Sequence, residues 1–337
     1  MRASRHLSLF ACLCFATASL AACTNSEPKT ANFYAIRAQT PSIVQFSEGS
    51  GSFSETRLNL PPNCIIWSDH PSQQSDWLAL QLVCNNNEVA WAQNLVTGKS
   101  LLLLPEQSAD SHILAWADAN MLYLRVDTLG NPRIMLADVR TGCFFETQLP
   151  FTVYHMDVAP GKLLYVLSNG IGFGSELWRS DYPQPVFRAS DFIIAFARFS
   201  PNGKQIAFIK MPDSNAISPP GELWLMEADG TNPRYLAPAH AGHGFSPAWS
   251  PSGGKIAYID QLQNLAMIDL TNGQTTRLDI QPTASPVWSL TSERVFVPVA
   301  SGDTMEIWFY EISSGILQPM PNTQNSMFVG WIGSARP

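Results

Sequence analysis

Two stretches decide the fold: Phe199-Ser-Pro-Asn-Gly-Lys-Gln-Ile-Ala-Phe208 and Trp249-Ser-Pro-Ser-Gly-Gly-Lys-Ile-Ala-Tyr258. In each, an apolar strand stops at Ser-Pro. A glycine then supplies a turn position with positive φ, and a lysine opens a second apolar run. A further hairpin follows each. In the first unit it is Glu222–Glu227, the turn Asp229-Gly230 and Asn232–Leu236. In the second it is Asn264–Leu270, the turn Asn272-Gly273 and Thr275–Leu278. Asp-Gly and Asn-Gly between apolar runs are hairpin signals, because both central residues tolerate φ > 0. Each unit therefore reads as four short antiparallel strands.

The pattern extends in both directions. Trp67-Ser68, Trp116-Ala117, Val158-Ala159-Pro160, Phe199-Ser200-Pro201, Trp249-Ser250-Pro251, Trp288-Ser289 and Trp331 recur at intervals of 39 to 50 residues. Glycine turns at Gly51, Gly98, Gly142, Gly230, Gly273 and Gly315 keep the same step. One turn is replaced by the proline-rich Asp181–Pro185. A period in this range with four strands per unit predicts an all-β propeller. The ends predict how it closes. Met327–Trp331 is a first strand with no unit after it. Phe33–Arg37, Ile43–Phe46 and Phe53–Leu58 are second, third and fourth strands with no first. Joined, they complete a seventh blade and remove the open sheet edge. Six blades remain the alternative, if the N-terminal strands only extend a neighbour.

The two quoted units, with Glu222-Leu-Trp-Leu-Met-Glu-Ala-Asp-Gly230, resemble the TolB-type propeller repeat. The likeness is specific in those units and degenerate in the other five, and as a pattern it covers residues 32–337. It departs from TolB in two ways. The N-terminal α/β domain has no counterpart, and the units number seven rather than six. TolB's own partners are therefore not implied. The chain also resembles the propeller of prolyl oligopeptidases, without their hydrolase domain.

The N-terminus reads as an address. Arg2 and Arg5 precede an uncharged apolar run from Leu7 to Ala22, short for the roughly 20 residues a membrane span needs. It ends in Leu20-Ala21-Ala22-Cys23 and turns polar at once. This resembles a bacterial lipoprotein signal. The resemblance implies that residues 1–22 are cleaved, that Cys23 is acylated, and that residues 23–31 are a tether. Residues 32–337 are then a single propeller, read as a monomeric domain. An ordinary secretory signal is the other reading. An acylated chain would sit on the outer face of the cytoplasmic membrane, or on an outer membrane, since two acyl chains anchor stably.

Composition agrees. Charged residues are 14% of the 337, few for a helix-rich chain, and Pro (25) and Trp (10) are abundant. The net charge is −7. Without Arg2 and Arg5 it becomes −9, from 18 basic and 27 acidic residues, which argues against a nucleic-acid partner. Cys64 and Cys84 fall on neighbouring antiparallel strands, either as a disulfide or as two buried free thiols. Cys143 is then unpaired and expected to be buried. No Cys-x-x-Cys encodes a zinc knuckle or a thioredoxin-type site.

Chemical motifs are sparse. Gly-x-Ser-x-Gly, Walker and His-Glu-x-x-His patterns are all missing. His240-Ala-Gly-His243 is the best metal candidate. It has no carboxylate between Gly230 and Ile259 to help it, so a polar loop is the stronger reading and no cofactor is assigned. Asp213-Ser-Asn215 has too few oxygens for calcium. Asp157 and Arg198, each one residue before a marker in adjacent units, are expected to form a structural ion pair. Three longer connections fall on one face of consecutive blades: Asn169–Ser175, Met211–Gly221 and Ala237–Phe245. Long loops on a rigid ring commonly bind. They predict a contact face that includes Phe173, Asp213, His240, His243 and Phe245. The first functional reading is a lipid-anchored binding or scaffold module for an envelope protein or polysaccharide. The alternative is a propeller enzyme, a polysaccharide lyase or glycan hydrolase, with its site at the channel mouth. Some pectin-fragment lyases resemble single-domain propellers of this repeat type with a metal site.

Overall fold

The computed structural model describes residues 32–332, apart from 38, 47–52, 73, 106–107, 129, 160, 215–219 and 243–244. Residues 1–31, where the signal segment, Cys23 and the tether are expected, lie outside the described residues, as do Asn215 and His243. Within them the chain forms strands and turns, with no helix long and apolar enough to cross a membrane.

The strands form seven four-stranded antiparallel sheets, the blades of a seven-bladed propeller. Blade 1 comprises, from the axis outward, Ser326–Ile332, Asn32–Arg37, Ser42–Phe46 and Phe53–Arg57. Blade 2 comprises Cys64–Pro71, Trp77–Cys84, Asn87–Asn94 and Ser100–Leu103. Blade 3 runs from Ser108–Trp116 through Met121–Thr128 and Asn131–Asp138 to Phe144–Glu146. Blade 4 holds Val153–Ala159, Lys162–Ser168, Ser175–Arg179 and Phe187–Ala189. Blade 5 holds Phe192–Phe199, Gln205–Pro212, Pro220–Glu227 and Arg234–His240. Blade 6 is Ala248–Trp249, Lys255–Ile259, Leu265–Asp269 and Thr275–Arg277. Blade 7 is Val287–Trp288, Arg294–Ser301, Thr304–Glu311 and Ile316–Pro319.

Each blade buries both faces, so its core lies between blades rather than within one. Ile36, Leu78 and Leu80 pack between blades 1 and 2. Leu177, Ile206 and Phe208 pack between blades 4 and 5. Phe33, Phe296 and Trp331 pack between blades 7 and 1. Each such side chain contributes about 1.5–3 kcal/mol on full burial. Indole N–H groups tie the innermost strands together. Trp116, Trp249, Trp288 and Trp331 donate to the carbonyls of His70, Arg198, Ala248 and Trp288, each on the preceding blade.

The ring closes as the termini predict. Asn32 pairs with Ile332, Tyr34 with Gly330 and Ile36 with Phe328. Gly330 has a steric reason: a Cβ there would lie 2.7 Å from the Tyr34 hydroxyl. Tyr34 crosses the glycine and donates its hydroxyl proton to the Asp69 carboxylate on blade 2.

Three expectations need correction. Trp67-Ser68 is not the repeat marker of blade 2. The Ser72 N–H donates to the Trp77 carbonyl (3.0 Å), as Ser200 does to Gln205, Ser250 to Lys255 and Ser289 to Arg294. The equivalent pair is therefore Pro71-Ser72. A bulge between Ile66 and Ser68 turns Trp67 out of the ladder, and it is 62% exposed. Ala237–His240 is not loop, because it continues the outer strand of blade 5 against Pro220–Leu223. Cys143 is only half-buried, ahead of the short strand Phe144–Glu146. A disulfide joins Cys64 and Cys84, which face each other across the first two strands of blade 2.

Candidate functional site

Two regions carry polar chemistry: the axial channel and the face bearing the second-to-third-strand and blade-to-blade connections, here termed upper. The innermost strands line the channel. Arg198 on blade 5 pairs with Asp157 on blade 4 (Nη1–Oδ1 3.3 Å), and the other Asp157 oxygen accepts the Phe199 N–H. The carboxylate thus bridges two blades, a structural role. His155 sits beside this pair and contacts the Ala197 carbonyl through Nε2 (2.9 Å). Burial, and secondarily the Arg198 charge, pushes its pKa down to about 3. His70, on blade 2, is pushed down to about 4 for the same reasons. Asp69 moves the other way, up to about 6, because burial outweighs the Tyr34 hydrogen bond. A bulge between Ala195 and Arg198 leaves Phe196 at φ 52°, with its ring edge-on to His155. Among the described residues, the channel groups thus include two imidazoles held neutral, the Asp157–Arg198 pair, and the Asp69 carboxyl that Tyr34 engages. No group of three or more His, Cys, Asp or Glu among the described residues is placed to hold a metal ion.

The upper face divides the five sequence candidates. Phe173 is 71% exposed, and Ile171 beside it 68%. Both belong to the blade 4 loop Gly170-Ile171-Gly172-Phe173-Gly174, whose three glycines take φ of +97°, +81° and +73°. The alternation displays the two apolar side chains outward. Asp213 of blade 5 fixes the loop: its carboxylate accepts the Gly174 N–H (2.7 Å). The backbone amides of Gly172, Gly174 and Phe173 hold the Asp213 carboxyl below its ordinary pKa. Asp213 is thus engaged in clamping one blade's loop to the next. His240 is engaged too, its Nδ1 accepting the Gly242 N–H (2.9 Å) and its ring meeting Phe245 edge-on. Phe245 packs on the core between blades 6 and 7.

Sequence reasoning missed a cleft of about 430 Å³ on the same face, between blades 3 and 4. The core below it is small, with Ile134, Val153, Met156 and Leu163 as its buried residues. Above that core the facing strands turn polar: Asp110 and His112 on the innermost strand of blade 3, Arg125 and Asp127 on the next. Asp110 pairs across the ladder with Asp127, and His112 with Arg125. The His112 Nδ1 meets the Glu88 carboxylate (2.9 Å), and the Glu88 N–H donates to Asp110 (2.8 Å). Phe151, 56% exposed, forms part of the opposite wall. A signal was present in the sequence. Charges at every second position, Asp110-x-His112 and Arg125-x-Asp127, occupy strands whose two faces should both be apolar.

No known family profile matches the chain, and no curated protein matches it in sequence. Its structure is similar to many solved propellers. An oligogalacturonate lyase in complex with manganese superposes with a TM-score of 0.55 at 15% identity, over 86% of this chain and 84% of that one. A putative 6-phosphogluconolactonase from Bacteroides uniformis gives 0.55 at 14% identity, over 90% and 99%. TolB from Acinetobacter baumannii gives 0.48 at 16% identity, over 90% and 66%. At these identities the likeness is one of fold.

Proposed function

We propose that the chain is an extracytoplasmic lipoprotein, held at a bacterial membrane by acylated Cys23. Its propeller presents a contact surface for an envelope protein or polysaccharide. One observation carries the binding reading: Ile171 and Phe173 are large, apolar and exposed, yet sit on a loop that Asp213 clamps. Exposed apolar side chains in contiguous patches mark interaction sites. Ordering them beforehand removes part of the entropic cost of binding. The anchor rests on the sequence signal that ends at Leu20-Ala21-Ala22-Cys23. The engaged channel groups give the enzyme alternative no support.

The test uses the full chain in its own membrane. Palmitate labelling and membrane partition should both be lost in Cys23→Ser; a variant that stays in the membrane fraction overturns the anchor. Crosslinking followed by detergent solubilisation should capture a stoichiometric envelope component. Phe173→Asp should abolish that capture. Undiminished capture by both Ile171→Asp and Phe173→Asp overturns the surface.

A further inference from the structure

We propose that the cleft between blades 3 and 4 is a binding site for an uncharged saccharide, about two to three sugar rings of a neutral glycan. It rests on the upper face being the binding face and names the ligand chemistry there. Arg125 is the first observation. The residue is half-buried and lines the cleft, and no hydrogen bond or ion pair reaches its side chain among the described residues. Such a group presents up to five donors in a fixed fork.

The acceptors converge on the same space with capacity left over. Asp110 spends one oxygen on the Glu88 N–H, and Asp127 spends one on the Gly130 N–H, leaving the second oxygen of each. His112 turns Nδ1 to Glu88, so its other ring nitrogen, Nε2, is not engaged by that contact. Phe151 and Pro132, which also line the cleft, are apolar. The site thus offers one strong donor fork, several acceptors and an aromatic ring, Phe151, on the facing side.

Charge selects among ligand classes. An anion attracted to Arg125 meets the carboxylates of Asp110 and Asp127, and a cation attracted to those carboxylates leaves the Arg125 guanidinium without an acceptor. A neutral polyol satisfies both sets, because each hydroxyl donates to a carboxylate and accepts from the guanidinium. A sugar ring also has one face of C–H groups that lies on an aromatic wall. The volume of about 430 Å³ falls in the lower part of the usual ligand range of about 300–1,000 Å³. A second upper-face cleft, between blades 6 and 7, is lined by Asp279, Gln263 and Gln281 without a cation, and lacks this balance.

The test titrates the full lipidated chain, in a detergent without sugar headgroups, by calorimetry. The probes are neutral trisaccharides of glucose, galactose, mannose and N-acetylglucosamine, with trigalacturonate and a glucosamine trimer as charged counterparts. We expect at least one neutral trisaccharide to bind. Arg125→Gln and Asp127→Asn should each weaken it by about tenfold or more, the factor that one charge-assisted hydrogen bond carries. Asp127→Asn is isosteric and Arg125→Gln keeps a polar side chain, and unchanged thermal midpoints would show that both fold. Tighter binding of a charged trimer overturns the proposal. So does silence of every neutral probe at about 10 mM, which would put any affinity below that of weak small ligands, or binding that both variants leave unchanged. A partner captured through Phe173 while the neutral sugars stay silent refutes the saccharide cleft and leaves the binding-module reading standing.

Discussion

Asp69 sits where burial and a hydrogen bond oppose each other, and burial wins, raising its pKa from 3.8 to about 6. The folded ring therefore keeps a proton that the unfolded chain has already lost between about pH 4 and pH 6. Stability from this group falls as pH rises through that window, and the penalty is complete above it. It is of the order of 2–3 kcal/mol. Asp69→Asn keeps an acceptor for Tyr34 without the charge. The variant should melt higher than the parent at pH 7, and the gap should close by pH 4. His70 and His155, depressed instead of raised, act in the opposite direction, so the parent-minus-variant difference is the quantity to read in thermal denaturation. A second residue is fixed by space. A Cβ on Gly174 would lie 2.0 Å from the Ala189 carbonyl oxygen, at a φ of +73°. Gly174→Ala should destabilise the domain by roughly 1–3 kcal/mol, measured by denaturant titration, and should release Ile171 and Phe173 to faster proteolysis.

At the level of elements, the indole ladder separates structural tryptophans from the one that only resembles them. Trp249 donates to the Arg198 carbonyl (3.3 Å) while packed on the core between blades 5 and 6. Trp67 is mostly exposed on its bulge. Trp249→Phe should cost about 1–2 kcal/mol for a lost, partly buried hydrogen bond and a smaller ring. Trp67→Phe should stay within about 0.5 kcal/mol. The same denaturant midpoints decide both. The tryptophans also show how far the sequence could be read. Turns such as Asp229-Gly230 and Asn272-Gly273 act locally, so strand order and blade boundaries were legible from them. Trp67-Ser68 misled because a dipeptide does not reveal whether a bulge has moved its register. The glycine-spaced loop was visible as a loop, with Phe173 on it. Its clamp was not, because Asp213 comes from another blade. The cleft was missed for the same reason: it exists only where the second strand of blade 3 faces the first of blade 4.

For the molecule as a whole, stability is a ring property, since each blade's core is shared with its neighbours. Removing the strand Ser326–Ile332 takes the axial strand from blade 1 and bares faces of both blade 7 and blade 2. A chain ending at residue 325 should lose cooperative unfolding and become sensitive to protease throughout. The missing strand supplied as a peptide should restore protection, because Asn32–Arg37 offers it a register of paired residues. Protection of the truncated chain without the peptide would show that the ring does not depend on this closure.

Blade 1 draws its axial strand from one end of the sequence and its outer three from the other, and this sets a timetable. Six blades complete themselves from neighbouring hairpins as the polypeptide emerges. The strand at Asn32 must wait for its partner nearly 300 residues later. At about 5–20 residues per second that delay is on the order of 15–60 s of synthesis. Throughout it, Tyr34, Ala35 and Ile36 belong to an edge without a mate, an invitation to wrong pairing with a neighbouring nascent chain. Maturation of this protein would thus be paced by the arrival of its final strand, and a holding chaperone would matter most early, at the first strands to appear.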